Sequence, residues 1–160
     1  MDFSPYDYVL EIHFNAGVND TKGNDKTTGT EIYITTSEKT HGVETEIVKG
    51  ISNIGFKNRG VKRKNWTVIS RAKAQGVSSA LLEVCFIDDA DDMKLYQEKK
   101  ADVIKAIANG IIKGFGLKPK EMDDITIIKN KIGLEQQTIE YLQAYKYGKE
   151  LIKKIANAVR

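Results

Sequence analysis

Apolar positions along the first part of the chain switch between a period of about 2 and a period of about 3.6, a texture that predicts strands interleaved with helices. From Tyr6 to Phe14, the residues Tyr8, Val9, Leu10, Ile12 and Phe14 make a short apolar run suited to a strand covered on both faces. Residues 18–29, VNDTKGNDKTTG, have no apolar period and are rich in Gly, Asn, Asp and Thr, so they predict an exposed, mobile connection. TEIYITT then sets Ile32 and Ile34 against polar neighbours, the mark of a half-buried strand. Val43, Ile47, Ile51 and Ile54 stripe a helix that Gly55 is placed to end. After the connection FKNRGVKRKN, WTVIS predicts a short strand; after RAKAQGVSS, ALLEVCFI predicts a central one. Val103, Ile104, Ile107, Ala108, Ile111 and Ile112 mark a second amphipathic helix, ended by Gly114 and Gly116.

Pro5 and Pro119 bracket this region, and beyond Lys118 the pattern becomes wholly helical. Met122, Ile125, Ile128 and Ile132 form one stripe; Leu134, Thr138, Leu142, Tyr145, Ile152, Ile155 and Val159 form another, interrupted at Gly133 and Gly148. The expected organisation is an α/β domain over residues 1–117, an open twisted mixed sheet flanked by helices, followed by a helical tail or linker over residues 118–160. So short a tail is expected to lack a core of its own, and to dock on the main domain, a second copy or a further module.

Composition narrows the chemistry. The 160 residues are 41% hydrophobic and 29% charged, the profile of a folded chain rather than a disordered one. A net charge of +3, with no focused basic patch, gives no reason to expect nucleic acid as a partner. No apolar run reaches the ~18 residues of a membrane span, and the start, MDFSPYDYVLEIHF, is acidic where a secretory leader is basic. Membrane is therefore not an expected partner, and the chain as encoded is expected in the cytoplasm. With one cysteine, Cys85, and two histidines, His13 and His41, it has neither an internal disulfide nor a cysteine-based zinc knuckle.

The residues that can carry chemistry lie on the predicted strands. In EIHFNAG, alternation places Glu11, His13 and Asn15 on one face. A histidine beside a carboxylate there is either a zinc ligand oriented by Glu11 or a structural, hydrogen-bonded imidazole. Glu83 sits inside an apolar strand, where it is either a general acid or base with a raised pKa or a buried carboxylate held by Arg59 or Arg71. Cys85 is expected on the face of Glu83, which leaves a Cys85–His13 nucleophile pair open, although most strand cysteines are inert. His41 falls at a helix start, where a solvated position is expected.

Taken in order, EIHFNAG, GTEIYI, a helix, FKNRGVK, a short strand and SSALLEVCFIDDADD resemble the zinc-dependent N-acetylmuramoyl-L-alanine amidases of the type 3 family, found in bacterial autolysins and phage endolysins. The resemblance runs from about Tyr6 to Leu117. It implies a peptidoglycan hydrolase that cleaves the amide between the muramoyl lactyl group and L-alanine with a zinc-bound water. It implies His13 as a zinc ligand and Glu83 as the catalytic carboxylate. Glu11, Asn15 and Arg59 are then candidates for supporting the metal or lining the substrate.

The family supplies two further zinc ligands, a histidine and a glutamate, ahead of the position at which this sequence starts. The expectation is therefore a partial, N-terminally truncated catalytic domain lacking the family's first strand and helix, with impaired activity. An exposed sheet edge, or the C-terminal helices, is expected to support self-association. Peptidoglycan is the expected partner, reached after release or secretion. The alternative reading is a non-catalytic cell-wall-binding or assembly module.

Overall fold

A computed structural model describes residues 1–118 and 122–159; Pro119 lies outside them. The chain divides into two compact units, Met1–Lys118 and Pro119–Arg160.

The first unit is built on four strands, β1 (Tyr8–Asn15), β2 (Thr30–Ile34), β3 (Asn58–Arg63) and β4 (Ser78–Phe86). They lie in the order β1-β4-β2-β3. β1 runs parallel to β4 and β2 parallel to β3, while β2 and β4 are antiparallel, so the sheet is mixed. Helices α1 (Gly42–Ser52), α2 (Thr67–Ala74) and α3 (Ala90–Gly114) complete the unit. The expected α/β class, with an open mixed sheet flanked by helices, is what forms.

Period-2 alternation assigns the two faces of the sheet. Ile32, Ile34, Ala80, Leu82 and Val84 turn toward Val43, Ile47, Val48 and Ile51 of α1 and Val103 of α3, making the main core. The opposite face is covered only in part: Val9 packs with Phe3, Val77 and, from α2, Val68 and Ala72. Ser79 Oγ donates to the Ile69 carbonyl of α2. The rest of that face is open, and it carries the polar strand residues.

Several expectations change. WTVIS is not a strand: Thr67–Ala74 is helix α2, with Ile69 and Ala72 as its buried side. A five-residue apolar cluster does not separate strand from helix by period alone, and here burial of one side decides. The neighbouring connection instead supplies an edge strand, β3, whose only core residue is Val61. β1 is not covered on both faces, since Ile12 is 55% exposed at the sheet edge. The loop after β1 is pinned by the acidic run after β4. Asp88 accepts from the backbone N–H groups of Gly17 and Asn19, Asp91 from those of Asn24 and Lys26, Asp89 from Thr28, and Asp92 from Gly29. Asp89 also caps α3 through the N–H groups of Asp91 and Asp92.

The second unit has its own small core, contrary to the expectation for so short a segment. Helices α4 (Asp124–Ile132), α5 (Gln136–Ala144) and α6 (Gly148–Val159) bring Ile127, Ile128, Ile152 and Ala156 together, with Leu134, Leu142 and Ile155 around them. Gly133 ends α4 in the left-handed conformation, at φ 73°. No helix among the described residues is long and apolar enough to cross a membrane.

Candidate active site

All four strands deliver a polar side chain to the open face of the sheet. His13 of β1 is in register with Glu83 of β4, and Glu83 is in register with Glu31 of β2. Arg59 and Lys62 of β3 both reach Glu31. The row His13, Glu83, Glu31, Arg59/Lys62 therefore crosses the whole sheet, a span of about 14 Å at ~4.8 Å per strand.

Glu11, His13 and Asn15 share this face, as alternation predicts. The Glu11 carboxylate stands 3.8 Å from His13 Nε2, and the His13 side chain is about half exposed. Asn15 turns inward, and its Nδ2 donates to Glu31 Oε1 at 3.0 Å. Arg59, one of two expected holders of Glu83, goes to Glu31 instead. Among the described residues Glu83 has no such partner: its Oε2 is buried and makes no hydrogen bond there. Burial holds the Glu83 carboxyl above the usual carboxylate range; His13 opposes that rise and the Glu31 charge adds to it.

Glu31 is the central residue that the sequence did not reveal. It is 1% exposed. Its Oε1 accepts from Asn15 and from the Tyr33 hydroxyl, and its Oε2 from Arg59 Nε and Lys62 Nζ. Burial alone raises such a carboxyl, but the hydrogen bonds from Arg59, Lys62 and Tyr33 more than offset it, and Glu31 is held below its usual range. Tyr33 is pushed up to about 12, first by burial and then by its bond to Glu31. The available signal was the strand TEIYI itself: the alternation that buries Ile32 and Ile34 puts Glu31 and Tyr33 together on the other face.

Cys85 does not join this row. Between the pairs His13–Glu83 and Asn15–Phe86, β4 carries one residue more than β1, a bulge. The bulge turns Cys85 into the main core with Val84 and brings Phe86 under Arg59. Burial pushes the thiol up to about 12, so it is a packed apolar group and no nucleophile. His41 is exposed at the start of α1 as expected, its Nδ1 3.0 Å from Thr45 Oγ1.

Catalytic zinc takes three protein ligands. Among the described residues, the one group of three candidate ligand atoms lying within 4.8 Å of one another is Asp20, Asp89 and Asp91. Those carboxylates already hold the loop after β1 and the start of α3. Glu11, His13 and Glu83 do not converge in that way, so the described residues do not make a complete zinc site.

This fold is that of amidase catalytic domains. The catalytic domain of the CD27L endolysin targeting Clostridia difficile superposes with a TM-score of 0.53 at 25% identity, over 68% of this chain and 55% of that one. The N-acetylmuramoyl-L-alanine amidase AmiC2 of Nostoc punctiforme, at 22% identity, shares the fold with a TM-score of 0.57 over 70% of this chain and 59% of its own. An uncharacterized protein of Clostridium perfringens is 35% identical over 104 residues, 64% of this chain and 30% of that protein. The profile of Amidase_3, N-acetylmuramoyl-L-alanine amidase, matches residues 2–113, and the chain belongs to that family. The family is typically metal-dependent. This chain spans little more than half the length of the two solved structures and under a third of the Clostridium perfringens protein.

Proposed function

We propose that the first unit acts on peptidoglycan as an N-acetylmuramoyl-L-alanine amidase, hydrolysing the amide between the muramoyl lactyl group and L-alanine, with Glu83 as the acid and base. The observation that carries this is the Glu83 carboxylate: half-buried, on the open face, with a buried oxygen that no donor among the described residues satisfies and a pKa raised by burial. A carboxyl so placed takes a proton from the attacking water as the C–O bond forms, then gives it to the amide nitrogen as the C–N bond breaks.

His13 is this chain's imidazole for a metal, and Glu11, whose carboxylate stands 3.8 Å from Nε2, is the residue placed to orient the ring. The metal implied is zinc. Because three ligands do not come together among the described residues at His13, turnover by the chain alone is expected to be impaired. Asn15 and Arg59 both donate to Glu31, whose buried carboxylate forms the floor of the site.

The incomplete metal set also favours a second reading, a module that holds peptidoglycan without cutting it. One experiment separates the two. Purified cell wall is incubated with a stoichiometric amount of the chain and the new L-alanine amino groups are counted. The amidase reading expects slow release that Glu83→Gln abolishes; the binding reading expects retention on the wall and no release.

Self-association belongs to the same proposal. β1 is a sheet edge with Ile12 exposed, a strand edge of the kind that pairs with another chain. Light scattering should show a concentration-dependent mass, and a clean monomer at high concentration argues against it. Action on the wall places the working protein outside the membrane, reached by release or secretion.

A further inference from the structure

The row across the sheet ends in a feature that hydrolysis does not require. Glu31 collects two cations on a single oxygen, so Arg59 and Lys62 together carry one positive charge more than Glu31 neutralises. Arg59 is held at Nε by this buried carboxylate, and its Cζ lies over the Phe86 ring, 4.9 Å from the ring centroid. Anchored on two sides, it leaves both terminal nitrogens without a hydrogen-bond partner among the described residues. That is a pre-organised fork, the arrangement that binds a carboxylate through two parallel hydrogen bonds. Lys62 Nζ and the Tyr33 hydroxyl, fixed by the same Glu31, stand beside it.

We propose that Arg59, with Lys62, forms a binding subsite for a carboxylate on the peptide side of the substrate, and that Glu31 is the positioning residue that holds both cations in place. This rests on the amidase reading for the identity of the substrate. The register supplies the direction: Glu83, where the amide is cut, neighbours Glu31, and the fork lies one strand beyond. A peptide leaving the scissile bond across the strands toward β3 brings an acidic side chain, or a terminal carboxylate, to Arg59. An exposed cation on a flexible stem would offer charge alone; a fork held at Nε and stacked on a ring costs less order on binding.

The test measures binding by calorimetry to the full chain, with two soluble probes, muramoyl-L-alanyl-glutamate and the same compound with its glutamate carboxyls amidated. The free acid is expected to bind on the order of tenfold tighter than the amide, the value of one charge-assisted contact. Equal affinities overturn the subsite with no variant needed. Arg59→Lys keeps the net charge and a cation for Glu31 but loses the fork, so the preference should fall several-fold while circular dichroism stays unchanged. A full preference retained in Arg59→Lys overturns the assignment, because it shows that net charge alone attracts the acid. Cleavage does not enter these readouts. A chain that prefers the acid and never cuts refutes the amidase reading only; one that cuts and binds both probes equally refutes the subsite only.

Discussion

Glu31 and Glu83 face each other across the antiparallel β2–β4 pair and are driven in opposite directions. Glu31 is saturated by four donors and held ionised; Glu83 has a buried oxygen with no donor and is pushed toward its neutral form. Two neighbouring carboxyls with separated pKa values are an arrangement in which one provides fixed charge and the other moves protons.

That separation has a consequence for stability at Glu83. Its pKa is raised in the folded state, so its contribution is full below the unfolded value of 4.5 and is lost as pH rises through the raised folded value. Glu83→Gln removes the loss. In a series of thermal melts the variant should exceed the wild type at neutral pH, with the gap closing in acid; identical curves at pH 7 would contradict the burial of an unpaired charge.

At Glu31 the sign reverses. Its pKa is lowered, so its contribution is present above the unfolded value of 4.5 and lost as pH falls through the lowered folded value. Glu31→Gln leaves Arg59 and Lys62 without their counter-charge. Because both cations are partly solvated, the expected cost at pH 7 is about 2 kcal/mol, below that of a fully buried pair. Urea unfolding at pH 7 and pH 3 should show the cost shrinking at the lower pH.

Metal content follows from the ligand count. After dialysis without added metal, the chain should hold well under one equivalent of zinc by elemental analysis, and His13→Ala should lower that further. One tight equivalent in the wild type would refute the statement that the site is incomplete.

The contact between α1 and α3 depends on small residues. A Cβ on Gly114 would lie 2.3 Å from Val43 Cα, and one on Gly110 would lie 2.7 Å from Ile47 Cα. Gly114→Ala gains about 1 kcal/mol of helix propensity but forces the backbones apart. A net loss of about 2 kcal/mol by urea unfolding is expected, and a neutral result would mean that the helices do not pack this closely.

Cys85 should resist iodoacetamide in the folded chain and react after denaturation, given its burial and raised pKa. Cys85→Ala should leave wall binding and any cleavage unchanged. Rapid alkylation of the native protein would reopen the thiol chemistry that the β4 bulge removes.

The parts of the fold legible in the sequence were those with one unbroken period: β2, α1, β4 and the second half of α3. WTVIS failed because an apolar cluster that short has no period to read. β3 failed because an edge strand with one core residue looks like a loop. The same logic governs the site. Alternation put Glu11, His13 and Asn15 on one face, and an acid within an apolar run marked out Glu83. Glu31 remained hidden because its importance comes from pairing across strands. The face of Cys85 was misread because one extra residue in β4 shifts the register without leaving a local mark.

The most direct test of the account is the release of L-alanine amino groups from purified cell wall by stoichiometric chain, wild type against Glu83→Gln. The account predicts slow release by the wild type and a fall of about 100-fold or more in the variant. Equal release from both, or none from either, would contradict it.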